Sequence, residues 1–260
     1  MIAPIFVSHG APTLVDEDIP ARDFLADLGR SMARPKAVLV VSAHWETREP
    51  CASIAERPET MHDFVGFPEA LYRLRYNAPG APDVARRAVK LLTQAGIPAA
   101  GEPRGLDHGA WCPLMLMYPR ADIPVTQLSI QPMRGPAHHF AVGQALRTLT
   151  TEDVLILASG GAVHNLRAIA WSGAQTIPEW AQAFDDWLAE KIAAGDAENL
   201  IDYRARAPGA VAAHPRDEHF LPLFVAMGAA GDHPKGDRLH TSFTRGSLSM
   251  AAFRFGSIDD

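Results

Sequence analysis

Cysteine is nearly absent: Cys51 and Cys112 are the only two in 260 residues. Two thiols are too few for a disulfide framework, and their spacing lacks the paired pattern of a Cys-rich zinc site. Reduced thiols in a cytoplasm are the expectation. No apolar run approaches the roughly 18 residues of a membrane span. The first segment, MIAPIFVSHGAPTLV, has no basic n-region and runs into His9 and Pro12, so a mature chain with no membrane partner is expected. Neither sign of charge dominates. The formal net charge is −6 with no block of like charges, which argues against nucleic acid or an anionic lipid surface as partner. H-E-x-x-H, G-x-G-x-x-G, Walker A and G-x-S-x-G are all missing. The local zincin, dinucleotide, nucleotide and serine-hydrolase readings therefore lose their main support.

What is present is a large apolar inventory, 47% of the chain, enough for one elaborate core just inside the size range, about 250–300 residues, at which chains divide. A single domain over residues 1–260 is expected, with no interdomain linker in view. Apolar runs at Ile5–Val7, Ala37–Val41, Ile123–Ile130 and Val154–Ala158 read as buried strands. Helical spacing occupies Pro82–Gly96, Ala137–Leu149 and Pro178–Ala194, and Pro222–Gly231 continues a helix that opens near Arg216–His219. Ser247–Phe255 alternates like a closing strand. Strand and helix in alternation predict an α/β fold, a central, mostly parallel sheet with helices on both faces and the site at the strand C-terminal ends. Pro50–Pro82 and Gly101–Pro119 read as long irregular loops, a length that in a compact domain points to function. They carry His62, Asp63, Phe64, Asp107, His108 and Trp111, a mix suited to an aromatic, polar ligand.

Three of eleven histidines share one placement, just after an apolar run: His9 in IFVSH, His44 in VLVVSAH and His164 in LILASGGAVH. Strand C-terminal ends meet at one rim, so three imidazoles would converge there, and the segment His214–His219 could bring a His or a Glu to the same point. Neutral imidazole is the commonest metal ligand. A single histidine after a strand is more often a hydrogen-bonded structural residue; the repetition favours a shared site. Ser159-Gly160-Gly161 reads as a strand-end turn where backbone approaches closely.

The segments SHGAP, VVSAHW, HDFVGFPEALYRLRYNAPG, LDHGAW, PVTQLSI, ASGGAVHN, RDEHFLPL and GSLSM follow one another from Ser8 to Met250. In that order they resemble the DODA-type extradiol aromatic ring-opening dioxygenases of the LigB-like class III superfamily, typified by the 4,5-DOPA dioxygenases. The resemblance implies metal ligands at His9, His44 and His219, an acid/base at His164 that also serves as a candidate fourth ligand, and an oxygen-side histidine at His108. Related enzymes use two histidines and a carboxylate, so Glu218 stays open as the third ligand. His62 and Asp63 correspond to the family's loop over the substrate, with a solvated polar pair as the competing reading. Trp45 is expected to wall the pocket or to pack. Ser129 is expected at the rim or as a turn cap. His214 is read as solvated, and His138, His139, His233 and His240 as structural or surface residues.

The implied cofactor is one divalent metal per chain, Fe(II) for activity, with Zn(II) expected in purified material because zinc binds the same ligands more tightly. The implied partners are a small catechol and O₂, with a homo-oligomer left open. Two readings compete: a zinc hydrolase on the same histidines, and a non-enzymatic binding protein resembling Memo.

Overall fold

The computed structural model describes residues 1–170, 176–231 and 234–256. Ten strands are present among them: β1 (Ile5–Ser8), β2 (Ala37–Glu46), β3 (Cys51–Ser53), β4 (Ala100–Glu102), β5 (Val125–Ile130), β6 (Val154–Gly160), β7 (Gly236–His240), β8 (Phe243–Thr244), β9 (Leu248–Ser249) and β10 (Ala252–Phe255). Eight form one sheet in the order β4-β3-β5-β2-β6-β1-β10-β7, and β8 pairs with β9 apart from it. The middle of the sheet, β5-β2-β6-β1, is parallel, and antiparallel pairs join it to both flanks.

Both faces are covered, which is why the central strands read as continuous apolar runs. Side chains alternate along a strand, so β2 sends Leu39 and Val41 into one core and Val38 and Val40 into the other. The first core is closed by helices Pro82–Gln94, Gly135–Leu146, Glu179–Ala194 and Leu221–Ala229, the second by Pro20–Ser31 and His108–Met117. Proline at the first turn starts Pro20–Ser31 and Pro82–Gln94, where a missing N–H costs nothing. In the second of these, Ala85, Ala88 and Leu92 form the buried stripe.

The α/β class, the single domain and the mostly parallel sheet are as the sequence predicts. Five local expectations are corrected. Pro50–Pro82 is not wholly irregular, because it holds β3 and the short helix Glu69–Arg73. Gly101–Pro119 is not an irregular loop, because it contains the end of β4 and the whole helix His108–Met117. Asp107 caps that helix by accepting from the Ala110 N–H, and the helix was hidden because it is buried nearly all round and so shows no polar face. Ser247–Phe255 is two short strands in different ladders, not one. The helix expected from Arg216–His219 begins only at Leu221, and β2 runs past Val41 to Glu46. His233 lies outside the described residues.

Parallel pairing aligns the strand ends. Ser8 stands opposite Gly160, and Ser42 opposite Ser159, so β1, β2 and β6 end along one rim. Whatever follows them is delivered to one place.

Candidate active site

Five imidazoles gather at that rim. His9 follows β1, His44 lies two residues before the end of β2, His164 follows the β6 turn, His108 opens the helix His108–Met117, and His219 lies in the turn before Leu221–Ala229. The ring centroids of His9, His44 and His219 are 5.0, 5.3 and 4.9 Å apart. His108 lies 3.9 Å from His44, and His164 stacks on His219 at 3.5 Å with an interplanar angle of 8°.

The hydrogen bonds behind these rings decide which nitrogen faces inward. Ser159 Oγ donates to the Gly109 carbonyl and so accepts from His9 Nδ1–H at 2.9 Å. That leaves the His9 Nε2 lone pair pointing away from the strand, 3.0 Å from His44 Nε2. His219 Nδ1–H donates to Glu218 Oε1 at 3.1 Å, and His219 Nε2 is buried with no hydrogen-bond partner. The nearest carboxylate to His44 Nδ1 is Asp63 Oδ2 at 3.5 Å. Asp63 Oδ2 also accepts from His108 Nδ1–H at 3.0 Å, and its Oδ1 accepts from the His108 backbone N–H at 2.9 Å.

Burial favours the neutral form of His9, His44, His164 and His219. It drives His9 well below its ordinary pKa, aided by His44, and does the same to His219, aided by His164. His44 falls to about 3 through burial and the nearby His108. His164 falls to about 4 through burial and its histidine neighbours. Burial alone would raise the Asp63 carboxyl, but the His108 hydrogen bonds outweigh it and hold it at about 2. Close-packed imidazoles with lone pairs turned inward repel one another, and a single cation among them relieves that repulsion. A divalent metal fits this donor set, and an orphaned buried nitrogen such as His219 Nε2 is otherwise a cost. Two neighbouring groups have the spacing to hold one: His9, His44 and His108, and His164, Glu218 and His219; the close approach of His219 to His9 and His44 joins them.

Glycine makes the closeness possible at two points. A Cβ on Gly160 would overlap the His219 carbonyl, which accepts from the Gly161 N–H at 2.9 Å. A Cβ on Gly109 would lie 2.5 Å from Ser42 Oγ and 3.0 Å from the His44 ring. Ser42 in turn donates to Asp107 at 2.6 Å, and Gln127 donates to the same carboxylate at 2.7 Å. Those buried contacts tie the His108 helix to β2 and β5.

The remaining expected residues divide. His62 and Phe64 belong to an aromatic wall with Tyr72 and Trp111, pinned where Trp111 Nε1–H donates to the Met61 carbonyl at 2.8 Å. Phe64 stands edge-on to His108 at 5.7 Å. Trp45 is buried, with the Arg104 guanidinium 4.9 Å over its ring. The Ser129 hydroxyl is committed to Thr47 Oγ1 at 2.6 Å and to the Cys51 N–H at 2.8 Å, so it clasps the β2–β3 connection. His214 is fully buried, not solvated: its ring stacks on Phe220 at 4.5 Å and Nε2–H donates to the Ala162 carbonyl at 2.9 Å. A neutral ring fills an apolar niche while spending its one donor on backbone, a role that a polar-looking HPRDEH segment conceals. Sequence reading passed over Ser159 as a histidine support, because its partner His9 is 150 residues away.

Comparison with known proteins then gives this rim a context. A family model described as "Catalytic LigB subunit of aromatic ring-opening dioxygenase" matches residues 4–256. A Beta vulgaris protein named "4,5-DOPA dioxygenase extradiol" is 44% identical over 97% of this chain and 96% of its own length. An Escherichia coli K12 protein of the same name is 40% identical over 97% and 94%. The crystal structure of an uncharacterised E. coli K12 protein superposes with a TM-score of 0.83 at 34% identity, covering 98% of this chain and all of the other.

Proposed function

Because this chain belongs to the LigB family of aromatic ring-opening dioxygenases, we propose that it cleaves a catechol-type ring beside the diol, inserting both atoms of O₂, at one divalent metal held by Nε2 of His9, His44 and His219. The oxidoreductase class follows from the family, which sets aside the non-enzymatic reading. The observation that carries the ligand assignment is the buried, unpartnered His219 Nε2, on a ring whose centroid lies 5.3 Å from that of His9 and 4.9 Å from that of His44. Glu218 occupies the other side of the same ring, on Nδ1, where a carboxylate orients a ligating histidine and raises its basicity. That placement favours His219 over Glu218 as third ligand.

Bound Fe(II) would supply open positions for both catechol oxygens and O₂ and the redox chemistry that a spin-forbidden reaction needs. The protein's own groups handle protons and placement. His164 stands neutral against His219, in the form that can take a catechol proton and return it to the product. His108 spends its Nδ1–H on Asp63, which leaves its Nε2 as the free nitrogen of a ring 3.9 Å from that of His44. The oxygen-side role of His108 would rest on that nitrogen. The wall of His62, Phe64, Tyr72 and Trp111 gives an aromatic substrate a face to pack on. DOPA, the substrate in the relatives' name, heads the candidates, with simpler catechols beside it. No helix among the described residues is long and apolar enough to cross a membrane, and two buried free thiols suit a cytoplasmic setting.

The test is anaerobic loading with Fe(II) or Zn(II), then oxygen uptake across a catechol panel. The iron form should consume one O₂ per catechol and give a yellow semialdehyde, and the zinc form should not. Ester or amide hydrolysis by the zinc form, without oxygen uptake by the iron form, would establish the hydrolase instead.

A further inference from the structure

The carboxylate of Asp63 comes from a loop 45 residues before the helix it touches, yet both of its oxygens are occupied there. Oδ1 takes the backbone N–H of His108, the first residue of His108–Met117, and Oδ2 takes the same residue's Nδ1–H. Oδ2 also lies 3.5 Å from Nδ1 of His44, on a different element. The Asp63 side chain is only 19% exposed. A carboxylate so engaged has little to offer a substrate, and it would repel a catecholate. A helix N-terminus favours it, so the loop bearing Phe64 is docked by the contact that orients the histidines.

We propose that Asp63 is a positioning residue for two site histidines: it holds the proton of His108 on Nδ1 and so keeps the Nε2 lone pair of His108 for the site, while its Oδ2, 3.5 Å from His44 Nδ1, favours the same tautomer of His44 electrostatically. The proposal rests on the reading of His44 as a metal ligand and His108 as an acceptor in the pocket. It gives Asp63 a positioning role in place of the substrate contact that the loop's sequence suggested.

Asparagine at this position separates the two roles without a change of size. The backbone N–H of His108 can only donate, so it claims the single amide oxygen. The NH₂ group then faces His108 Nδ1, which can pair with it only by giving up its proton to Nε2. In Asp63→Asn the inward-facing acceptor of His108 becomes a donor.

The experiment is ¹⁵N NMR of histidine-labelled, metal-free protein, wild type against Asp63→Asn and Asp63→Glu, with circular dichroism to confirm folding. Chelator competition for Fe(II) and Zn(II), and kcat and KM at saturating Fe(II), follow on the same samples. The expected results are Nδ1–H on His108 in wild type, Nε2–H in Asp63→Asn, and return of Nδ1–H in Asp63→Glu. Metal should bind 10- to 100-fold more weakly in Asp63→Asn, the usual loss for a group behind a ligating histidine, with kcat lowered and catechol KM within about twofold. An unchanged His108 tautomer and metal affinity, with KM raised instead, would overturn the proposal and make Asp63 a substrate contact. Full metal occupancy in His44→Ala would instead contradict the ligand assignment; the His108 tautomer still tests Asp63 in that case.

Discussion

At the scale of the residue, the account divides the histidines by which nitrogen is already spoken for. His219 has Nδ1 engaged and Nε2 orphaned, so His219→Ala should abolish stoichiometric metal binding, measured by metal analysis after dialysis. Glu218→Ala should keep the metal but bind it about 10- to 100-fold more weakly; the reverse pattern would make Glu218 the ligand. His164 has no such assignment. His164→Phe should therefore retain iron and catechol while turnover falls by roughly 10²–10⁴, the usual worth of general acid–base catalysis. Loss of iron in that variant would make His164 a ligand, and near-normal turnover would leave it structural. His9, His44 and His164 were legible as a group because each follows an apolar run that ends at the same rim. The groups behind them were not, since Ser159 and Asp63 reach their histidines across 150 and 45 residues. No spacing rule spans that distance. Glu218 was the exception, being adjacent to His219 in the chain.

At the scale of the element, what positions the site is the close approach of the β6 turn to the His219 segment. Gly160→Ala would press a methyl into the His219 carbonyl, so it should lower the melting temperature and weaken metal binding together. A second element test concerns the junction of β5 and Gly135–Leu146. His139 is buried, accepts from the Gln131 N–H at 3.0 Å and donates to the Gly135 carbonyl at 2.7 Å. Burial lowers it to about 4, against about 6.5 in the unfolded chain. The unfolded state thus binds the extra proton, so this contribution is complete above pH 6.5 and is lost as pH falls toward 4. Metal-free protein should lose up to about 1.4 kcal/mol per pH unit from this group across that window. Urea unfolding at pH 7, 6 and 5 should show a shallower acid loss in His139→Gln than in wild type, and equal slopes would refute the assignment. Strands and amphipathic helices were readable from periodicity. The helix His108–Met117 was not, because burial on all sides removes the polar face that periodicity detects.

At the scale of the whole molecule, a sheet covered on both faces leaves its chemistry to the rim where β1, β2 and β6 end. The α/β class followed from alternating apolar runs and helical stripes, and the family from eight short motifs in order. The split of Ser247–Phe255 into two ladders did not follow, since alternation says which face a residue takes and nothing about which strand it joins. The central claim is that this rim opens a catechol ring with O₂ at a metal held by His9, His44 and His219. It is tested most directly by oxygen-electrode measurement on Fe(II)-loaded wild type and His219→Ala, with DOPA as substrate. The account predicts one O₂ consumed per ring opened by wild type and none above background by the variant. Equal uptake by both proteins, or no uptake by iron-loaded wild type with any catechol of the panel, would contradict it.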